Sequence, residues 1–262
     1  MICGLLGRRL IHSYSPQIHK MLGNYDYRFF EREPDNLGEF LTSAPFDGIN
    51  VTIPYKKDVI PYCSALSEDA RRIGSVNTII RTENGLYGDN TDCFGFQWMV
   101  KRSRCSVHGK KAIILGSGGA SLTAQDVLKN LGAVEIRVIS RTGKDNYENI
   151  SRHYDADIIV NATPVGMYPN NGERLIRLED FRNCSCVLDI IYNPALTGLL
   201  LDAERLGIPH ENGLSMLVAQ AKRASELFTA STIDDGVIDD ITDAMSAAMK
   251  SIVIIGMPGC GK

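Results

Sequence analysis

The chain has 262 residues, a formal net charge of −3 and 44% hydrophobic residues, an ordinary globular composition for one large or two small domains. It has no basic excess to hold nucleic acid, no acidic run of a disordered tail, and no apolar run of about 18 residues to cross a membrane. Seven cysteines (Cys3, Cys63, Cys93, Cys105, Cys184, Cys186 and Cys260) are scattered without a CxxC pair. That pattern disfavours a disulfide framework or a metal site and suits small hydrophobes in a reducing cytoplasm.

In chain order, Met1–Gly7 lacks the charged start and long apolar core of a signal peptide and reads as a strand, Ile2–Leu6, running into a glycine turn. Pro16–Leu22 opens a helix, with Ser15 as its cap and Pro16 at its first position. Gly48–Ile53 is a strand stopped by Pro54. Thr78–Arg81 and Leu86–Gly88 flank Glu83-Asn84-Gly85, a hairpin signal. Asp92–Arg102 is a helix, and His108-Gly109-Lys110 breaks the pattern. Lys111–Gly116 is then a continuous apolar strand, followed by a helix over Leu122–Leu131 and strands at Glu135–Ile139, Ile158–Val160 and Val187–Ile190. Leu214–Phe228 and Gly236–Lys250 are helical, and Ser251–Ile255 is a buried-type strand. Alternating strands and helices predict an α/β fold with parallel pairing.

The segment Gly116-Ser117-Gly118-Gly119-Ala120-Ser121 lies between a strand and a helix. Glycines let backbone N–H groups approach a pyrophosphate, and the helix N-terminus adds a partial positive charge. The last position is serine where the general fingerprint has glycine, and such a turn alone is also an ordinary bend. The next strand ends in Ser140-Arg141-Thr142, with Lys144 beyond, where NAD-binding folds place an acid on the ribose hydroxyls. An arginine pairs with a 2′-phosphate by two parallel bonds, so the pattern favours NADP(H).

Further motifs stand in order along the chain: His12-Ser13-Tyr14-Ser15-Pro16, Asn50-Val51-Thr52-Ile53-Pro54-Tyr55-Lys56, Gly74-Ser75-Val76-Asn77-Thr78 and Gly88-Asp89-Asn90-Thr91-Asp92. After the glycine turn come Asn161-Ala162-Thr163-Pro164-Val165-Gly166-Met167 and the run from Asn212 to Gln220. Together they resemble the shikimate dehydrogenase family over residues 1–250. The resemblance implies two lobes with a deep cleft between them. An N-terminal α/β substrate lobe would take residues 1–98 plus 214–250, and a Rossmann-like NADP-binding lobe residues 99–213.

The resemblance also implies residue roles. Lys56 and Asp92 form the catalytic pair: reduction of a ketone leaves negative charge on oxygen, and a lysine ammonium held by a carboxylate can supply the proton. A nearby aspartate raises a lysine pKa and burial lowers it, so the sequence gives no net direction. Ser13 and Ser15 bind the substrate carboxylate, and Thr52, Asn77, Tyr192 and Gln220 contact ring hydroxyls or carboxylate. Glu68, Thr163, Ile190 and Gly213 join residues 116–121, Ser140, Arg141, Thr142 and Lys144 in holding the cofactor. Cys93 stands where many relatives have glycine, Ser140 where asparagine is frequent, and Asp145 where some carry a second arginine for the 2′-phosphate. The implied activity is NADPH-dependent reduction of 3-dehydroshikimate to shikimate by a cytoplasmic enzyme. The alternatives are a quinate/shikimate dehydrogenase using NAD and a non-catalytic NADP- and ligand-sensing homologue.

The last residues, 251–262, read as a strand running into Gly256-Met257-Pro258-Gly259-Cys260-Gly261-Lys262. This GxxxxGK resembles the opening of shikimate kinase, and it lacks the Ser or Thr and the helix that complete a P-loop. The expectation is a fused shikimate kinase whose P-loop only begins here, with no ATP binding by this segment.

Overall fold

A computed structural model describes residues 1–10 and 13–249. Within them the chain builds two sheets. The first uses β1 (Ile2–Gly7), β2 (Asp26–Glu31), β3 (Gly48–Val51), β4 (Cys63–Leu66), β5 (Thr78–Thr82) and β6 (Gly85–Asp89), in the order β2-β1-β3-β5-β6-β4. β1 pairs parallel with β2 and β3, β4 pairs parallel with β6, and β5 runs antiparallel to β3 and β6. The second sheet is all parallel: β7 (Lys111–Leu115), β8 (Glu135–Ile139), β9 (Ile158–Asn161), β10 (Cys186–Asp189) and β11 (His210–Asn212), in the order β11-β10-β9-β7-β8.

Helices α1 (Ser15–Leu22), α2 (Leu37–Ser43) and α3 (Glu68–Ile73) accompany the first sheet, and α5 (Gly119–Asn130) and α6 (Gly198–Arg205) the second. Between the sheets in sequence lies α4 (Asp92–Arg102), and α7 (Leu214–Thr229) and α8 (Gly236–Ala248) follow β11. α4 is buried on two sides. Cys93, Phe96, Met99 and Val100 enter the core over the second sheet, and Trp98 joins Ile18, Leu214, Val218 and Ile241 between α1, α7 and α8. Each such side chain contributes about 1.5–3 kcal/mol of apolar burial. α4 and α7 approach closely because position 95 is glycine: a Cβ there would lie 2.6 Å from the Met216 carbonyl oxygen. That contact fixes Asp92, at the head of α4, relative to the polar residues of α7.

Several boundaries differ from the sequence expectation. β3 stops at Val51: the Thr52 N–H makes the last ladder bond to the Leu6 carbonyl, and the Thr52 carbonyl then accepts the Tyr55 N–H in a turn. Ser15 is the first helical residue of α1 and Tyr14 the cap, without a side-chain capping bond; Ser13 Oγ accepts the Ser15 N–H instead. α5 begins at Gly119, three residues before the apolar pattern announces it. The strand expected over Ser251–Ile255 and the glycine-rich run after it lie outside the described residues.

Candidate active site

Lys56 follows the turn that ends β3, and Asp92 is the first residue of α4. Their side chains meet, with Lys56 Nζ 2.6 Å from Asp92 Oδ2. The backbone on the lysine side is anchored on both flanks. Tyr55 is fully buried with its hydroxyl donating to the Arg32 carbonyl, and the Lys56 carbonyl accepts the Val76 N–H at 2.8 Å. Asp92 gains from its place at a helix N-terminus. The Lys56 side chain is 28% exposed and that of Asp92 15%, so the pair is reachable by a small molecule without being freely solvated.

Asn77 lies beside this pair at 3% exposure. Its Oδ1 accepts the Thr91 N–H at 2.7 Å and the Thr78 hydroxyl at 3.1 Å, and its Nδ2 donates to Thr91 Oγ1 at 3.0 Å. The amide therefore pins the loop leading into Asp92, and a single amide N–H is left over for a ligand. The network extends through residues that sequence reasoning missed. Asn50 Nδ2 donates to Thr78 Oγ1 at 3.1 Å, and the Tyr27 hydroxyl donates to Asn50 Oδ1 at 2.8 Å. Tyr27 is half-buried, desolvation raises its pKa well above the usual phenol value, and Ser15 lies near its hydroxyl. The Ser13 hydroxyl in turn donates to Ser15 Oγ at 3.0 Å. A polar chain thus runs from Tyr27 through Asn50 and Thr78 to the Asn77–Asp92 region, with the serine pair near its Tyr27 end. Its only sequence signal was polar residues inside otherwise strand-like runs.

Tyr192 packs edge-on against Tyr14 with ring centroids 5.9 Å apart, which brings it to the serine loop. Gln220 faces α4 next to Gly95, and its amide donates to the Leu217 carbonyl at 2.8 Å. Thr52 sits at the end of β3, its methyl against Gly7. Glu68 opens α3 with a side chain 93% exposed, and borders a hollow of about 240 Å³ shared with Asn90 and Thr91.

On the second sheet, Gly116 adopts φ +102° directly after β7, and its N–H donates to the Ile139 carbonyl at 2.8 Å, which sets the turn beside the end of β8. A Cβ at Gly116 would lie 2.8 Å from the Thr163 methyl, whereas Cβ atoms at Gly118 and Gly119 would meet nothing within 4 Å. Gly118 caps α5 with no side-chain bond to the first-turn N–H groups. Open space above uncapped N–H groups at a twelve-residue helix suits a pyrophosphate, and these residues fit a dinucleotide. Ser117 and Ala120 complete the turn. Ser121 is fully buried and Gln125 Nε2 donates to its hydroxyl, so its side chain packs inward. Arg141, Thr142 and Lys144 point to solvent beyond β8, with Ser140 half-buried at the strand end.

Asp189, missed in the sequence, organises the residues around the ends of β9 and β10. It is fully buried and accepts from Thr197 Oγ1 at 2.6 Å, Asn161 Nδ2 at 3.0 Å and the Ile191 N–H at 3.0 Å, while burial pushes its pKa up to about 6. Asn161 Oδ1 accepts the Thr163 hydroxyl at 2.7 Å. Ile190 follows Asp189, and Gly213 is pressed onto it so closely that a Cβ would come 1.9 Å from the Ile190 carbonyl oxygen. Thr163, Ile190 and Gly213 are thus held by one buried carboxylate and one close backbone contact.

Asp69, Cys93 and Asp126 also converge, with ligand atoms within 4.8 Å of one another. Arg72 occupies them, donating at 2.5 Å to both Asp69 Oδ1 and Asp126 Oδ1, and burial pushes the Cys93 thiol pKa up. The group is an arginine-neutralised cluster.

A parallel sheet with an open glycine turn, joined to a second sheet that carries a lysine–carboxylate pair, defines a pyridine-nucleotide-dependent oxidoreductase of two α/β units. Residues 5–79 match the model of the shikimate dehydrogenase substrate binding domain. The NADP(+) shikimate dehydrogenase of Clostridium beijerinckii is 36% identical over 252 residues, 88% of this chain and 93% of that one. A chorismate mutase/shikimate 5-dehydrogenase fusion protein from Clostridium acetobutylicum superposes with a TM-score of 0.90 at 35% identity, covering 95% of this chain and 98% of that one. Shikimate 5-dehydrogenase from Thermus thermophilus, in complex with NADP(H) and shikimate, gives 0.82 at 27% identity over 93% and 99%. The chain belongs to the shikimate dehydrogenase family.

Proposed function

We propose that the chain reduces 3-dehydroshikimate to shikimate with NADPH, reversibly, and that Lys56 and Asp92 act at the reacting oxygen. The observation that carries this reading is the 2.6 Å Lys56–Asp92 contact beside the Asn77–Thr91 network, in a chain whose relatives are NADP(+) shikimate dehydrogenases. The cofactor supplies the hydride. The Lys56 ammonium lies where it can donate a proton to the oxygen that gains charge, and Asp92 holds that ammonium and accepts from a substrate hydroxyl. The Ser13 and Ser15 hydroxyls, at the start of α1, bind the substrate carboxylate, and Thr52, Asn77, Tyr192 and Gln220 surround the ring. The turn at residues 116–120 holds the pyrophosphate, and Arg141, Thr142 and Lys144 meet the 2′-phosphate. In this reading residues 1–98 and 214–250 form the substrate lobe, residues 99–213 the NADP lobe, and the active site lies in the cleft between them.

The discriminating experiment compares four rates: shikimate and quinate, each with NADP+ and NAD+. The reading expects shikimate with NADP+ to have the highest kcat/KM. A preference for quinate with NAD+ replaces it with the alternative dehydrogenase, and no turnover with any pair replaces it with a sensor.

We also infer a fused shikimate kinase, whose P-loop opens in residues 256–262. The support is the apolar run Ser251–Ile255 leading into GxxxxGK. Antibody against this chain should detect a species much heavier than 28.8 kDa in extracts of its source, and a single band at that mass contradicts the fusion.

A further inference from the structure

The segment after β8 presents a contradiction in charge. Arg141 and Lys144 suit a 2′-phosphate, yet Asp145 stands immediately beside them, and a carboxylate facing that phosphate repels it. The structure shows where the carboxylate goes. Asp145 is only 15% exposed, and its Oδ1 lies 3.2 Å from Nε2 of His153, on the short helical turn Ile150–His153. Its other oxygen lies 4.0 Å from Arg137 Nη1, but Arg137 is already committed to Glu135, to which its Nε donates at 2.8 Å. His153 is itself 7% exposed, and the contact is short but poorly directed, since neither ring nitrogen has an aligned partner.

The backbone closes around this arrangement. The Asp145 carbonyl accepts the Ser140 N–H at 3.2 Å, the Lys144 carbonyl accepts from Asn149 Nδ2 at 2.9 Å, and Asn149 Oδ1 accepts the Asn146 N–H at 2.9 Å. Arg141, Thr142 and Lys144 are left outward while the acid between them and Asn146 is turned in. The Gly116–Ile139 hydrogen bond sets this loop beside the glycine turn, on the side where a dinucleotide's adenosine ribose lies.

We propose that His153 is a specificity-determining positioning residue: by drawing the Asp145 carboxylate inward it leaves a net-positive loop face for the 2′-phosphate, and so enforces preference for NADP(H) over NAD(H). The proposal rests on the NADP-binding role assigned above to Arg141, Thr142 and Lys144. Without His153 the carboxylate has no close partner inside, and it turns out to neutralise Arg141 and Lys144 in competition with the phosphate.

Calorimetric Kd values for NADP+ and NAD+, measured without substrate, test it. His153→Leu should weaken NADP+ binding by roughly tenfold and leave NAD+ binding within twofold, because only the phosphate feels the released charge. Asp145→Asn on top of His153→Leu should restore the wild-type ratio, a rescue that repair of packing cannot produce. Asp145→Glu tests the same point without touching the interior: a carboxylate one methylene longer overreaches the His153 niche, and the Kd ratio should fall in the same direction. An unchanged ratio in His153→Leu and Asp145→Glu, or no rescue by Asp145→Asn, overturns the proposal. Wild-type protein that prefers NADP+ but turns over no shikimate refutes the assigned activity and leaves the role of His153 standing.

Discussion

Replacing His19 with phenylalanine should make the protein less sensitive to acid. His19 lies on α1 with no exposed surface, stacked on Tyr27 with centroids 4.0 Å apart and with Nδ1 2.5 Å from the Tyr25 hydroxyl. Its Nε2 has no partner, and burial pushes its pKa from 6.5 down to about 3. The folded state therefore holds the neutral ring while the unfolded chain takes up a proton below pH 6.5. The stability this confers is complete above pH 6.5 and is lost as pH falls toward 3. Between pH 6.5 and 4.5 the loss is up to about 3 kcal/mol, at roughly 1.4 kcal/mol per pH unit. Phenylalanine keeps the stack on Tyr27 and removes the titration. Losing the contact to Tyr25 costs about 1 kcal/mol at every pH. The wild type should thus be the more stable form at pH 7 and the variant the more stable form at pH 4.5. Urea unfolding followed by the fluorescence of Trp98, the single tryptophan, gives the difference at each pH. A stability difference that stays constant from pH 7.5 to 4.5 refutes the reasoning.

Asp189 has the opposite sign. Its folded pKa of about 6 exceeds the ordinary 3.8, so the folded state binds the proton more tightly and stability rises as pH falls from 6 to 4. Asp189→Asn should abolish that rise, worth at most about 3 kcal/mol, and unfolding curves at pH 4.5 and 7 will show it. The two glycines of the nucleotide turn should separate stability from binding. Gly116→Ala, at φ +102° and against Thr163, should cost about 1–3 kcal/mol of stability. Gly118→Ala meets no atom of the protein, so it should leave the thermal midpoint nearly unchanged while weakening NADPH binding, measured by fluorescence titration.

Elements with a clear pattern were legible in the sequence: α4, β7 with its run of four buried apolar residues, and the Asn84-Gly85 hairpin lie where the pattern put them. β2, with the sequence Asp-Tyr-Arg-Phe-Phe-Glu, was not, because it is an edge strand with no fully buried residue and so carries no alternation. α2, α3 and α6 have only seven, six and eight residues, and β11 is three residues paired through β10, too short for a periodic signal. The approach of Lys56 to Asp92 crosses 36 positions and has no local signature; it was expected only through the ordered motifs of a family. The Tyr27–Asn50–Thr78 chain and Asp189 were illegible for a related reason. A polar residue inside a strand reads as a defect in the pattern until its partners, from other strands, are in place.

The most direct test of the account is the effect of Lys56→Ala on NADP+-dependent oxidation of shikimate. With Lys56 as the proton-transferring group, kcat should fall by about 10²–10⁴-fold while the Kd for NADPH stays within twofold. A variant that binds NADPH and turns over shikimate at the wild-type rate contradicts the account.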